Sequence, residues 1–372
     1  MIKWCNSCIL PDTRPNLYIK GDGICNACHN HKKKLNIDWV HREKIFKKIV
    51  EITKKKSSEY DCVIPVSGGK DSTWQTIKCL EYGLKPLAVT WKTPARTKIG
   101  EDNLKNLISL GVDHIDYQIN PKIESSFMKK SFRKFGSTAI PMHLALFNIP
   151  LRMASRFKIP LIVWGENSAF EYGSKKKNDI GHKLDESWIN TYGVTNGTTA
   201  IDWVDNELDK KSLTAYFGPS KKEINRFNSR AIFLGYYFQW DPKKIKKISE
   251  KKGFKKKSSP RTGYYDFADI DDKFISIHHW MKWYKFGFTR SFDNLSLEIR
   301  NKRISRRKAL EILRKEGDSL PKRDIMSFCK FTKMKESSFF SIADSFRNKS
   351  IWKRKNGKWF IENFLIKDWK WI

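Results

Sequence analysis

The sequence predicts an α/β fold, a doubly wound parallel sheet, and three observations carry that prediction. Short apolar runs of strand length alternate with segments of helical periodicity between residues 60 and 164. The first apolar run ends in Ser-Gly-Gly directly before a helical segment. The next two helical segments are each stopped by a glycine, Gly83 and Gly111. Strands separated by helices pair in parallel, and the helices cover both faces of the sheet.

Taken in order, residues 37–58 place apolar side chains at helical spacing (VHREKIFKKIVEITKKK). Tyr60–Val66 is the first strand, and Ser72–Tyr82 is the helix after it. Lys85–Trp91 is the second strand and Asp102–Leu110 a helix. Val112–Ile119 is the third strand, followed by a helix over Ile123–Phe135. Leu144–Phe157 is helical with an expected kink at Pro150. Pro160–Trp164 is the fourth strand and runs into GENSAFEYG. Residues 170–240 mix Gly, Asn and Thr clusters with aromatic stretches, so an insertion and the last part of the sheet are expected there. The charged run 243–263 is expected to be a connection. A mostly helical C-terminal region follows, in 297–317 and 326–348. The expected domains are residues 1–36, 37–255 and 256–372.

Composition sets limits on function. At 372 residues, 40% hydrophobic and 13% aromatic, the chain can bury a sizeable core and is not disordered throughout. No apolar run reaches the length of a membrane span. The start, MIKWCNSC, lacks the apolar segment of a signal peptide, so a cytoplasmic protein is expected. The net charge is +33, with much of the excess after residue 250. That balance suits nucleic acid, an anionic membrane surface or phosphorylated substrates, and equally suits a genome-wide bias toward lysine.

Four of the seven cysteines lie near the start: Cys5, Cys8, Cys25 and Cys28. Two C-x2-C pairs separated by sixteen residues place four thiolates at tetrahedral corners, which suits zinc. A closed four-thiolate site is structural. Residues 1–36 are too few to form a core, so metal is expected to supply their folding energy. His29 and His31 are not needed as ligands. Cys62, Cys79 and Cys329 are isolated and read as packing residues.

The loop SGGKDS, residues 67–72, is not G-x4-G-K-[ST]. Gly68 and Gly69 let successive N–H groups converge on an anion, Ser67 and Ser72 add hydroxyls, and the next helix points its positive end at the same place. Asp71 beside a phosphate implies a cation between them, which points to Mg²⁺.

SGGKDS after a strand resembles the pyrophosphate loop (PP-loop) of the N-type ATP pyrophosphatases, whose fold is the adenine nucleotide alpha hydrolase-like sheet. The likeness narrows when further blocks are added: the cysteine knuckle with CNACHN (25–30), AVTW (88–91), WGENSAFEYG (164–173) and FGFTRSFDNLSLEIRNKRISRRKA (286–309). Together they resemble the N-acetyl sugar amidotransferases of surface-polysaccharide (lipopolysaccharide, O-antigen) or nonulosonic acid biosynthesis. FGFTRSFD departs from that family's pattern, which has small residues in its middle. The resemblance implies an ATP-dependent carbon–nitrogen ligase. It would adenylate an acetamido oxygen, release pyrophosphate, then let ammonia displace AMP to leave an acetamidino group.

On the same basis, Ser67, Gly68, Gly69, Lys70, Asp71 and Ser72 would hold ATP, with Lys70, Asp71 and Ser72 closest to the chemistry. Val89 and Trp91 would flank adenine through main-chain groups, and Gly165 would allow close approach of the nucleotide. Glu166, Asn167, Glu171 and Tyr172 are candidates for the sugar, Glu166, Asn167 and Glu171 also for metal, with a helix cap and solvated carboxylates as the plain alternative. Lys285 and Arg290, with His278 and His279, are candidates for an anionic group of the substrate, with buried structural histidines as the plain alternative. None of Cys62, Cys79 and Cys329 sits in a glutaminase setting, so ammonia must come from solution or a partner. The resemblance implies a class-I glutaminase and a barrel partner like the cyclase of histidine biosynthesis. A nucleotide sugar is one form the substrate can take. A tRNA-modifying, thiolation-type PP-loop enzyme and a non-catalytic nucleotide-binding subunit are the rival readings.

Overall fold

The computed structural model describes residues 2–174, 181–220, 222–223 and 229–371. Parts of the expected insertion, residues 175–180, 221 and 224–228, therefore lie outside the described residues. The sheet has five strands: β1 (Cys62–Pro65), β2 (Pro86–Trp91), β3 (Asp113–Tyr117), β4 (Leu161–Trp164) and β5 (Arg230–Phe233). Their order is β3-β2-β1-β4-β5 and every pairing is parallel. The order reverses between β1 and β4, which is where an open α/β sheet leaves a crevice beyond its carboxyl edge. β5 lies in the stretch where the last part of the sheet is expected, a four-residue edge strand whose apolar residues run directly into a short helix, Leu234–Tyr237.

Alternate residues of each strand point to opposite faces, and each face has its own core. On one face, Cys62 and Ile64 pack with helices α2 (Trp39–Lys56), α3 (Lys70–Glu81) and α4 (Lys98–Ile108). On the other, Val63, Leu87 and Ile162 pack with α5 (Pro121–Phe135) and α6 (Ala139–Arg156). α6 starts five residues earlier than expected, because Pro141 falls in its first turn, where proline is tolerated. Cys62 and Cys79, isolated in sequence, meet between β1 and α3. The neighbouring Cys79 thiol and burial hold the Cys62 thiol well above its ordinary range. Both are sealed in the core.

Beyond β4 come two short helices, α7 (Ser168–Tyr172) and α8 (Glu186–Tyr192). The run expected as a connection begins instead with a helix, α9 (Pro242–Glu250). Asp241 caps it, accepting from the N–H groups of Lys243 and Lys244, and Pro242 occupies the first turn. Ile245 and Ser249, one turn apart, face α3, and the Ser249 hydroxyl donates to the Lys70 carbonyl at 2.8 Å.

The C-terminal region holds α10 (Ile275–Phe286), α11 (Arg290–Arg300), α12 (Arg306–Glu316), α13 (Lys322–Thr332) and α14 (Glu336–Ser345), then a hairpin of β6 (Trp352–Lys355) and β7 (Lys358–Ile361). α10, α13 and α14 add Ile277, Phe328 and Phe339 to the core on the α5–α6 face. The start of the chain packs elsewhere. Ile2, Ile9, Leu10 and Leu17 share a cluster with Trp283, Phe292, Leu313, Trp352 and Trp369. The knuckle is thus held by apolar packing against the end of the chain, and metal is not its sole support. Among the described residues, no helix is long and apolar enough to cross a membrane.

Candidate active site

The loop after β1 is shaped by its glycines. Gly68 has φ +85°, and a Cβ there would lie 2.6 Å from the Leu104 nitrogen, so only glycine fits. Gly69 is extended and caps α3. The loop serines brace each other: the Ser72 hydroxyl donates to the Gly69 carbonyl at 3.0 Å, and the Gly69 N–H donates to Ser67 Oγ at 3.3 Å. The first-turn N–H groups of α3 point out of the sheet's carboxyl edge, the arrangement that receives a phosphate.

Lys70 and Asp71 form an ion pair. Lys70 is 6% exposed and lies near the rings of Trp240 and Phe267, so it does not face solvent. Asp71 Oδ1 also accepts from Trp240 Nε1 at 2.9 Å. Trp240 was missed from sequence; its only signal was the aromatic stretch FLGYYFQW.

Two cavities meet at this loop. One, of about 220 Å³, is walled by Trp240, Pro242, Tyr265 and Phe267. The other, of about 730 Å³, sits over the β1–β4 crevice. It has Pro65, Trp164 and Gly165 on the sheet side, and Arg14, His143, His278, Lys282 and Lys285 opposite. Ser67, Asp71, Ser72, Glu166, Tyr172, Asp269 and Arg290 line both. Gly165 has Gln75 against it, where a Cβ would stand 3.0 Å from Gln75 Oε1.

The electrostatics divide the site. On the loop side, burial pushes the Glu166 carboxyl up to about 8, with Asp71 adding to the effect. On the opposite wall, cations outnumber carboxylates. Arg14 Nε lies 2.7 Å and Lys282 Nζ 3.2 Å from the buried Asp293 carboxylate, with Arg290 3.7 Å away. Arg290 also pairs with Asp269 at 3.1 Å. Burial opposes ionisation of Asp269, but Arg290 and His279 outweigh it and its carboxyl lies below the ordinary range. Lys285 donates to the Phe135 carbonyl, and burial pushes its ammonium down to about 8. Burial also pushes His279 down to about 4 and His278 well below its usual value. Near neutral pH both histidines are therefore uncharged, and any anion on this wall is met by Arg14, Lys282, Lys285 and Arg290.

Five of the residues expected at the site, Gly68 among them, line neither cavity. Asn167 caps α7, donates to the Gly181 carbonyl at 3.0 Å and accepts from Trp188 Nε1 at 3.2 Å. Glu171 is buried against Lys34 of α1 (Asn26–Lys34) at 2.6 Å. The Val89 carbonyl is taken by the Val66 N–H at 2.9 Å, and the Trp91 indole donates to Glu124 at 2.8 Å. Segment 271–273 covers the edge beyond β2. Thr97 N–H donates to the Asp271 carbonyl and Lys273 N–H to the Ala95 carbonyl, each at 3.0 Å. Arg14, Trp240, Asp269 and Lys282 take part in the site without having been singled out.

Cys5, Cys8, Cys25 and Cys28 are buried, with their ligand atoms all within 4.8 Å of one another. Cys8 Sγ and Cys25 Sγ are 3.7 Å apart. Sulfurs at about 2.3 Å from a tetrahedral zinc stand about 3.8 Å apart, so the set fits zinc. The N–H groups of Cys8 and Cys25 both donate to Cys5 Sγ, which favours its thiolate. The Asp71 carboxylate is partly exposed and lines both cavities.

No curated protein matches the chain. Among solved structures, it is similar to the crystal structure of a predicted subunit of tRNA methyltransferase from Methanocaldococcus jannaschii. The identity is 16% and the TM-score 0.28, over 51% of this chain and 75% of that one. Residues 261–365 match the family described as LPS biosynthesis protein WbpG-like, C-terminal domain. The segment that brings Asp269, Lys282, Lys285 and Arg290 to the cavities is thus similar to the C-terminal domain of WbpG-like lipopolysaccharide biosynthesis proteins, in agreement with the surface-polysaccharide resemblance of the sequence.

Proposed function

We propose that this chain is an ATP-dependent amidotransferase that converts the acetamido group of an N-acetyl sugar to an acetamidino group, releasing AMP and pyrophosphate. One observation carries the reading: the two cavities share the SGGKDS loop as a common wall. A phosphate held there faces a second compartment large enough for a sugar. The loop N–H groups and the α3 N-terminus would bind the leaving pyrophosphate. Bound Mg²⁺ supplies charge neutralisation between the phosphates and Asp71. Arg14, Lys282 and Arg290 would orient the sugar so that its acetamido oxygen lies in line with the α phosphate. The thiolation alternative finds no support in Cys62 and Cys79, which are sealed in the core and absent from both cavities.

Ammonia would come from a class-I glutaminase, with a histidine-cyclase-like barrel as its companion. The isolated chain should then use ammonium and fail with glutamine. The test is incubation with ATP, Mg²⁺, ammonium and a panel of acetamido sugars, free and UDP- or CMP-linked. Mass spectrometry reads replacement of one oxygen by NH. Amidination with glutamine alone, or ATP turnover indifferent to every sugar, would contradict the reading.

A further inference from the structure

Glu166 is placed unlike the other carboxylates of the site. Asp71 is held by Lys70 and Trp240, Asp269 by Arg290, and Asp293 by Arg14 and Lys282. Glu166 makes no hydrogen bond or ion pair with any described residue, yet it lines both cavities directly after β4. Its carboxylate therefore sits at the junction where nucleotide and sugar would meet, with its lone pairs uncommitted.

We propose that Glu166 is the proton acceptor of the amination step, a role that rests on the adenylation reading above. Ammonia adds through its lone pair to the adenylated carbon, and the new nitrogen carries three hydrogens and a positive charge. AMP can leave as the amidinium forms only when that nitrogen gives up one proton. The proton passes to a Glu166 oxygen, the C–O bond breaks, and AMP departs with the electron pair. The carboxylic acid then returns its proton to solvent.

The test separates the two half-reactions in E166Q and E166D, using the full chain and the same mixture of acetamido sugars. In E166Q, sugar-dependent ATP–pyrophosphate exchange should fall far less than formation of the amidine does. Formation of the amidine from ammonium should fall by about 10²–10⁴-fold, the usual worth of a positioned base. E166D, which keeps a carboxylate, should amidinate faster than E166Q. Unchanged amidination in E166Q overturns the proposal. So does parallel loss of exchange and amidination in folded protein of either variant, which would make Glu166 a ligand of nucleotide or metal. Absence of exchange in the unsubstituted chain contradicts adenylation itself, and is thereby distinguished from failure of the base.

Discussion

Arg14 reaches from the cysteine knuckle to Asp293 on α11, with Nε 2.7 Å from Oδ1, and so joins the knuckle to the C-terminal region beside the larger cavity. Asp293 is fully buried. Burial opposes its ionisation, but Arg14, Lys282 and Arg290 hold its carboxyl below the usual range. Arg14→Ala leaves the carboxylate with two cations in place of three, and should cost about 1–3 kcal/mol in denaturant unfolding at neutral pH. Because the folded-state pKa is depressed, this stabilisation is present above the unfolded value and is lost as pH falls toward the folded one. The gap between the variant and its parent should therefore narrow below about pH 4.

Lys34 and Glu171 tie α1 to α7 as a buried pair, and Lys34 also donates to the Trp240 carbonyl at 2.7 Å. Burial pushes the Glu171 carboxyl up, with Lys34 opposing. Lys34→Ala should destabilise by about 3–5 kcal/mol, since it strands a buried charge. The double variant K34M/E171Q should recover much of that loss and retain sugar-dependent pyrophosphate release. Loss of turnover in a stable double variant would return Glu171 to the substrate site.

Metal analysis should find one zinc per chain, bound by the four cysteines. The knuckle shares its core with Trp283, Trp352 and Trp369, so chelation should lower the melting temperature and shift tryptophan fluorescence. It should not unfold residues 1–36 alone. Unaltered fluorescence after complete zinc removal would deny that packing.

Much of this architecture was legible along the chain because it is local. β1, β2 and β4 are apolar runs, β3 follows the glycine that stops the preceding helix, the loop glycines are contiguous, and the cysteines come in two short pairs. What escaped is what distant segments build together. Arg14, Trp240, Asp269 and Lys282 stand far apart in sequence, and nothing in their neighbourhoods distinguishes them from surface or core residues. β5 runs without a break into the apolar helix Leu234–Tyr237, so nothing in the sequence marks its end. α9 was hidden by lysines that face solvent around two inward residues, Ile245 and Ser249. Glu171 and Asn167 lie in the block that resembled a substrate site. The helix cap of Asn167 is local and was the plain alternative for this block, whereas the ion pair of Glu171 depends on Lys34, which only the fold brings near.

The central claim is that the SGGKDS loop holds ATP for adenylation of a sugar amide, with Asp71 acting through magnesium. Its most direct test is pyrophosphate release by Asp71→Asn in pure, folded protein, with ATP, Mg²⁺ and the acetamido sugar panel. Loss of sugar-dependent release by two orders of magnitude or more, roughly the scale of removing one preorganised charge-stabilising group, is the predicted result. Undiminished release would contradict the account.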